Sequence, residues 1–347
     1  MCSEEILRKQ IAQMLVVGFE GTEAGKESHI IRDIKEYGLG SVILFEFTGR
    51  NVASKEQLKK LCTNLQTAAQ GDLLIAIDQE GGDVNRLKAK YGFTDFPSAA
   101  YLGSHSDEET SHWGAEMANT LAEMGINLNF APCVDVDVNP ASPAIGARGR
   151  SISANPEVVA RKASLWIEEH SKRNIISCAK HFPGHGSALT DTHKGPADVT
   201  ATWQDYELYP YKYLIERGQI DMVMVAHVFN AHLDNENPAS VSSKIINGLL
   251  REKLHFDGVV ATDDLGMGAL SNSLSYSDIV EKTINAGADL LCIANESSPY
   301  NPDIVPQTIN LIFNKVKEGR IALERIEESA GRVAALKRRL NNNLIRR

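Results

Sequence analysis

The sequence predicts an α/β protein built as a (β/α)8 TIM barrel, with residues 1–347 forming a single domain. Its 347 residues suit a barrel with long loops. Eight short, β-branched apolar runs recur along the chain, and segments with the apolar spacing of helices separate them. Eight strand–helix repeats close naturally into a parallel barrel. We prefer this to a doubly wound open sheet, because no G-x-G-x-x-G motif opens a helix.

Several of the eight predicted strands are apolar on successive residues, as expected of strands that are covered on both faces. The predicted strands are Leu15–Phe19, Ser41–Phe45, Leu73–Asp78, Asn127–Val134, Ile176–Phe182, Met222–Val228, Gly258–Asp263 and Asp289–Ala294. Between them, three apolar stripes with helical spacing are expected to face the core. These stripes are Trp113, Met117, Leu121 and Met124; Val159, Ala163, Trp166 and Ile167; and Val305, Ile309, Ile312, Phe313 and Val316.

Composition and charge exclude several classes of function. The net charge of −9 argues against a nucleic-acid binder, and no apolar run approaches the ~20 residues of a membrane span. The five cysteines include no C-x-x-C pair, so neither a disulfide framework nor a zinc knuckle is expected. These features and the absence of a signal-peptide pattern predict a cytoplasmic protein. The alternative is an exported or lipid-anchored protein, if Cys2 is a trimmed lipoprotein start.

Polar residues close five of the predicted strands. Active sites of barrels form at the carboxyl ends of the strands, and a charge at the end of a buried strand is costly unless it is paired or used. This pattern therefore predicts where the chemistry lies. The polar strand ends are Asp78-Gln79-Glu80, Asp135, Lys180-His181, His227 and Asp263-Asp264.

The fifth predicted strand leads into a long loop of sequence KHFPGHG at residues 180–186, followed by Asp191-Thr192-His193. The side chains of Asp191 and His193, two residues apart, can hydrogen-bond. A carboxylate beside an imidazole fixes its tautomer and raises its pKa, which gives a proton donor near neutral pH. The alternative is a solvated polar loop.

A metal site offers a rival interpretation of this loop. Its candidate ligands are His181, His185, Asp191 and His193. Lys180 would repel a cation beside them, and the first predicted strand lacks an H-x-H motif. We therefore expect no metal and no other cofactor.

Asp263 and Asp264 end the seventh predicted strand. Adjacent strand residues point to opposite faces, so only one carboxylate can face the barrel axis. A carboxylate there suits nucleophilic attack on the anomeric carbon of a sugar. Either aspartate could instead cap the following helix, which suits Asp264 best.

Two further segments carry candidate ligand-binding residues. Asp78 begins the sequence DQEGG, and Arg86 follows eight residues later, an arrangement that suits recognition of hydroxyl and carbonyl groups. The paired glycines at 81 and 82 would let the backbone approach a ligand. Arg148 lies in a glycine-flanked loop. A structural ion pair is the alternative for these charges.

In this order, the segments resemble glycoside hydrolase family 3, and within it the single-domain β-N-acetylglucosaminidases. The resemblance runs from the first strand to about Asn341. It is carried by KHFPGHG at 180–186 with the downstream Asp-x-His, by DQEGG at 78–82, and by FDGVV at 256–260 through Thr262-Asp263. The resemblance implies that Asp263 is the nucleophile, His193 the general acid/base and Asp191 its partner. It also implies these sugar-binding residues: Asp78, Arg86, Arg148, Lys180 and His181.

The resemblance further implies a β-N-acetylhexosaminidase that removes terminal β-linked N-acetylglucosamine by double displacement, with retention and without a cofactor. The expected substrates are small glycans such as peptidoglycan fragments in cell-wall recycling, and the expected state is a monomer without nucleic-acid partners. Three alternatives stay open: a phosphorylase of the same family, a metal-dependent barrel hydrolase and a non-catalytic glycan-binding protein.

Three positions depart from the family pattern. Asp83 stands where an arginine usually follows the two glycines, and Thr192 replaces a common serine. The sequence ARGR at 147–150 replaces the usual Arg-Ser-Phe context, so Arg150 is an alternative register for Arg148. The first and third departures concern the sugar pocket, and therefore substrate preference.

Overall fold

The computed structural model describes residues 3–47, 50–296 and 300–345, with a parallel eight-stranded sheet at its centre. Cys2, on which the expectation of a lipid anchor depends, lies outside the described residues. All eight predicted strands are confirmed, most of them shorter than predicted. They are β1 (Leu15–Gly18), β2 (Ser41–Leu44), β3 (Leu74–Ile77), β4 (Leu128–Asn129), β5 (Ile176–Phe182), β6 (Met222–Val225), β7 (Val259–Thr262) and β8 (Leu291–Ile293).

The sheet curls into a barrel. Its hydrogen-bonded order is β8-β1-β2-β3-β4-β5-β6-β7, and a parallel bridge between Ala261 and Leu290 joins the two ends. The Thr262 N–H donates to the Leu290 carbonyl at 3.0 Å at this junction. The predicted (β/α)8 barrel is thereby confirmed. A separate pair of two-residue strands, Ala197–Asp198 and Val228–Phe229, follows the ends of β5 and β6.

Helices connect the strands. The α-helices are α1 (Ser3–Gln13), α2 (His29–Arg32), α3 (Lys55–Ala68), α4 (Ala99–Ser104), α5 (Asp107–Met124), α6 (Pro156–Ser171), α7 (Tyr209–Glu216), α8 (Gly268–Ser271), α9 (Tyr276–Ala286), α10 (Ile304–Lys317) and α11 (Leu323–Ile345). Short 3-10 turns span Ala89–Tyr91, Gly146–Arg148, Asp205–Leu208 and Ala239–Val241, and π-helical segments span Asp33–Tyr37 and Lys244–Lys253.

The core has two layers. Alternate strand residues, such as Phe130, Cys178 and Met224, fill the barrel interior together with Leu336 and Leu340 of α11. Leu340 also lies beside residues at the starts of the strands, so α11 covers the amino end of the barrel. The other strand faces pack against the surrounding helices. The carboxyl ends of the strands are therefore the end that is left for a ligand.

Burial confirms the three predicted stripes as core faces. Their residues are buried, except for Trp113 and Val316, which are partly buried and pack against the core. The four cysteines in the described part of the chain are free and buried, as expected of thiols that pack as small apolar groups. Over the described residues, no helix has both the length and the apolar character that crossing a membrane requires.

Candidate active site

The carboxyl ends of β3, β5 and β7, together with the segments that follow β3, β4 and β5, surround one cavity of about 470 Å³. Six of the eight predicted site residues line the cavity, Asp191 contacts one of them, and Arg148 lies outside. The cavity is lined by Asp78, Val84, Arg86, Ala144, Arg150, Lys180, His181, His185, Thr192, His193 and Asp263.

Two larger hollows, of about 950 and 1000 Å³, flank α11 at the opposite end of the barrel. Their described lining residues include charged side chains such as Asp221 and Lys337, but no histidine. Oppositely charged side chains also pair there, such as Asp221 with Arg339, but of these three cavities the smaller one alone combines carboxylates and cations with imidazoles. Chemistry, not size, therefore identifies the candidate active site.

Asp263 directly follows β7 and presents its carboxylate to the cavity. Burial by itself would raise its pKa, but electrostatic interactions with His181, His227, His193 and Lys180 outweigh burial and lower the pKa to about 2. The group is therefore ionised at neutral pH, as a carboxylate nucleophile must be.

Asp264 points to the other side of the strand. Its carboxylate accepts a hydrogen bond from the Ala294 N–H at 2.7 Å and so connects the segment after β7 to the end of β8. Burial raises its pKa to about 6. The suggestion that Asp264 caps the next helix is wrong, because α8 begins at Gly268 and Met267 precedes it.

Asp191 and His193 form the predicted pair. One carboxylate oxygen of Asp191 accepts from the His193 backbone N–H at 3.0 Å and lies 2.7 Å from Nδ1 of the imidazole. Burial would raise the pKa of Asp191, but these bonds from His193 lower it. Because Nδ1 is engaged, Nε2 is the ring nitrogen that remains for a ligand in the cavity.

The opposite wall of the cavity is a buried charge cluster. Lys180 Nζ lies 2.7 Å from carboxylate oxygens of both Asp78 and Glu80. Arg150 donates twice to Glu80, at 2.9 and 2.7 Å. Burial opposes all of these charges, yet the cations hold the pKa of Glu80 well below its usual range, and the carboxylates raise those of Lys180 and Arg150. Mutual pairing is what makes these buried charges tolerable.

Asp135, six residues after the end of β4, orients His181. It accepts from the backbone N–H of His185 at 2.7 Å and lies 2.6 Å from Nδ1 of His181. Burial would raise its pKa, but His181 and His185 lower it to about 2. With the Nδ1 proton directed at Asp135, Nε2 of His181 accepts from Arg150 Nη2 at 3.2 Å.

Arg86 lines the cavity, and its guanidinium lies 5.6 Å from the ring of Phe45. Arg148 does not line it. That residue ends the 3-10 turn Gly146–Arg148 and forms an ion pair with Asp83, in which both side chains are substantially exposed. Arg150, the alternative register, takes the place in the cavity that was predicted for Arg148. Two departures from the family pattern, Asp83 and Arg148, thus contact each other.

The paired glycines at 81 and 82 allow two segments of the backbone to approach each other closely. Both have positive φ, and a Cβ on Gly81 would lie 2.2 Å from the Pro97 carbonyl oxygen. A Cβ on Gly82 would lie 2.6 Å from Cβ of Ser98. The close approach therefore occurs between two loops, and the predicted approach to a ligand is not what the glycines provide.

The candidate metal ligands named from the sequence do not meet as a group within the described residues. The one set of three donors within 4.8 Å of one another there is Cys133, Asp135 and His181. Cys133 donates to Asp135 at 3.2 Å, and burial holds the pKa of its thiol well above the usual value. This thiol stays protonated and the carboxylate is already engaged by four donors, so the set does not suit a cation.

Sequence reasoning gave no role to Glu80 or Asp135 and treated Arg150 only as an alternative. Glu80 and Asp135 both stood among the polar strand ends, which was the signal available for them. Their roles as partners of Lys180 and His181 depend on contacts across 100 and 46 residues of sequence, respectively, and no local pattern encodes those contacts.

The chain was compared with known proteins. Residues 6–336 match the family described as the glycosyl hydrolase family 3 N-terminal domain. A β-hexosaminidase of Tolumonas auensis is 35% identical over 287 residues, covering 81% of this chain and 82% of that protein. β-Hexosaminidase A of Pseudoalteromonas piscicida is 31% identical over 334 residues, which is 88% of this chain and 54% of that protein.

Comparison with solved structures supports the same family. A glycoside hydrolase family 3 β-N-acetylglucosaminidase from Paenibacillus sp. superposes with a TM-score of 0.88 and 35% identity, over 96% of this chain and 62% of that one. A β-N-acetylhexosaminidase from Beutenbergia cavernae gives a TM-score of 0.85 and 28% identity, over 95% and 98%. This chain thus spans just over half of the Pseudoalteromonas protein but nearly all of the Beutenbergia one. It belongs to glycosyl hydrolase family 3.

Proposed function

We propose that this protein is a retaining exo-β-N-acetylglucosaminidase in which Asp263 is the nucleophile and His193, paired with Asp191, is the general acid/base. One observation carries the proposal: an ionised carboxylate and a carboxylate-bound imidazole line the same cavity. The names of the β-hexosaminidase relatives support the N-acetylhexosaminide as substrate.

In the first step, an Asp263 carboxylate oxygen attacks C1 of the sugar and forms a glycosyl ester. The bond from C1 to the leaving oxygen breaks, and Nε2 of His193 donates its proton to that oxygen. In the second step, His193 removes a proton from water, the water oxygen attacks C1, and the Asp263 carboxylate is released. Two inversions at C1 give net retention.

We propose Asp78, Arg86, Lys180 and His181 as sugar-binding residues, together with Arg150 in the place first expected of Arg148. The ion pairs of Lys180 hold Asp78 at the cavity wall, where its carboxylate can accept from sugar hydroxyls. Arg86 offers a buried Nε that has no partner within the described residues, which suits a carbonyl oxygen such as that of the acetamido group.

We propose β-linked N-acetylglucosamine at the end of small peptidoglycan fragments as the natural substrate. The buried cluster closes one end of the cavity, which supports binding of one sugar at a chain end and therefore exo action. Phosphorolysis is the alternative outcome, because an imidazole does not repel an attacking phosphate as a carboxylate would.

The decisive experiment traps the glycosyl-enzyme with a fluorinated N-acetylglucosamine derivative that forms the ester quickly and hydrolyses slowly. Mass spectrometry of peptides is expected to locate the sugar on Asp263. Product analysis with and without phosphate then separates hydrolysis from phosphorolysis. An adduct on another residue, or a first-formed product of inverted configuration, would refute the proposed mechanism.

A further inference from the structure

The position of the His193 ring is set by the main chain of its loop. Its side chain is 60% exposed, so packing does not hold the imidazole in place. Within the loop, Asp191 supports the ring, and Thr192 is buried with its hydroxyl 3.1 Å from Nε2 of His185. These contacts position the ring relative to its own loop, but not relative to Asp263.

The connection after β7 supplies the missing contacts. The Ala269 N–H donates to the Thr192 carbonyl at 3.0 Å, and the Gly268 N–H donates to the His193 carbonyl at 3.3 Å. The Asn272 side chain adds a bond to the Lys194 carbonyl at 3.4 Å. Gly268 lies only five residues after Asp263, so one short connection carries the proposed nucleophile and also contacts the loop of the proposed acid/base.

Gly268 allows this contact because it has no side chain. A Cβ built at this position would lie 3.0 Å from the carbonyl oxygen of His193 and 3.0 Å from the carbonyl carbon of Lys194. Both distances are shorter than ordinary van der Waals contact, so a methyl group would push the loop away by a few tenths of an ångström or more. The backbone at Gly268 does not have positive φ, so alanine adds this clash without backbone strain.

We propose that Gly268 is a positioning residue for general acid/base catalysis: it lets the main chain of residues 192–194 pack against the start of α8, and so positions His193 relative to Asp263. This inference rests on the proposed function, because it requires His193 to be the proton donor. Small displacements of a positioned catalytic group reduce rates strongly, even when the group itself is intact.

The test compares Gly268→Ala with Gly195→Ala in the full-length protein. Gly195 lies in the same loop, and a Cβ there would lie 3.8 Å from Nδ2 of Asn272, which is ordinary contact. Substrates are an alkyl N-acetyl-β-glucosaminide, whose leaving group needs protonation, and a dinitrophenyl glycoside, whose leaving group does not. For Gly268→Ala, we expect kcat/KM on the alkyl substrate to fall about tenfold or more, with less than about twofold loss on the dinitrophenyl substrate.

Asn272→Ala provides a second variant that removes one exposed hydrogen bond and adds no clash. A smaller, roughly two- to threefold loss confined to the alkyl substrate is expected of it. Equal losses on both substrates, or values for Gly268→Ala that match those of Gly195→Ala, would overturn the proposal. If Gly268→Ala does not fold, an unchanged substrate ratio in Asn272→Ala would overturn it.

His193→Ala serves as the reference for the proposed function. If His193→Ala itself shows no preference for activated leaving groups, the acid/base assignment fails, whatever Gly268→Ala does. If His193→Ala shows that preference and Gly268→Ala does not, only the positioning role fails.

Discussion

The two walls of the cavity are held in opposite ways. On one side, Lys180, Glu80 and Arg150 are buried, ion-paired groups. On the other side, His193 is exposed and is held through backbone hydrogen bonds of its loop. We therefore expect substitutions in the buried wall to lower the stability of the fold as well as the proposed sugar binding, and substitutions in the loop wall to change the proposed catalysis at little cost in stability.

The largest expected effect is on the residue between the two walls. Asp263→Ala should reduce hydrolysis of an aryl N-acetyl-β-glucosaminide by a factor on the order of 10⁴ or more, because the covalent step loses its nucleophile. The circular dichroism spectrum should stay that of the parent protein. Near-normal turnover would refute the nucleophile assignment.

On the loop wall, His193→Ala should reduce kcat/KM on substrates with poor leaving groups by about 10²- to 10⁴-fold, since general acid catalysis contributes factors of that size. Nitrophenyl substrates should lose much less. The melting temperature should change little, because the imidazole is 60% exposed. A large drop in melting temperature would contradict the claim that the loop wall contributes little to the stability of the fold.

On the buried wall, Glu80→Ala should lower the free energy of unfolding by about 3–5 kcal/mol, because Lys180 and Arg150 would stay buried with a missing partner. Urea unfolding measures this change. The matched control is Asp83→Ala, which removes the exposed partner of Arg148 and should cost no more than about 1 kcal/mol. Similar losses in the two variants would contradict the role given to burial.

The smallest expected effect concerns Glu207, a buried carboxyl in the 3-10 turn Asp205–Leu208. It accepts from the Gln204 N–H at 3.0 Å and packs against Gly184 in the loop after β5. Burial raises its pKa to about 8, from 4.5 in the unfolded chain. Between these two pH values the unfolded state binds fewer protons than the folded state, so Glu207 makes stability fall as pH rises.

Glu207→Gln should remove this pH dependence. We expect thermal unfolding between pH 5 and pH 8 to show that the free energy of unfolding of the variant rises relative to that of the parent protein as pH rises. The increase should be on the order of a few kcal/mol at pH 8. If the melting temperatures of the variant and the parent change with pH in the same way over this range, Glu207 is ionised in the folded protein.

The sequence by itself determined the barrel and most of the cavity. Strand and helix periodicity is local, so the eight strands, the core stripes and the polar strand ends could be predicted from neighbouring residues. Asp78, Lys180, His181 and Asp263 followed, because the carboxyl ends of parallel strands in a barrel must meet at one end. The Asp191–His193 contact spans two residues and was equally accessible.

Only the tertiary structure decided which arginine enters the cavity. Arg148 and Arg150 are alike in sequence terms, and the choice depends on distant partners, Asp83 at the surface and Glu80 in the core. The same is true of Asp135 beneath His181 and of Gly268 against residues 192–194. Such contacts form between segments that the fold brings together, and their energies depend on burial and distance, which no local pattern of residues specifies.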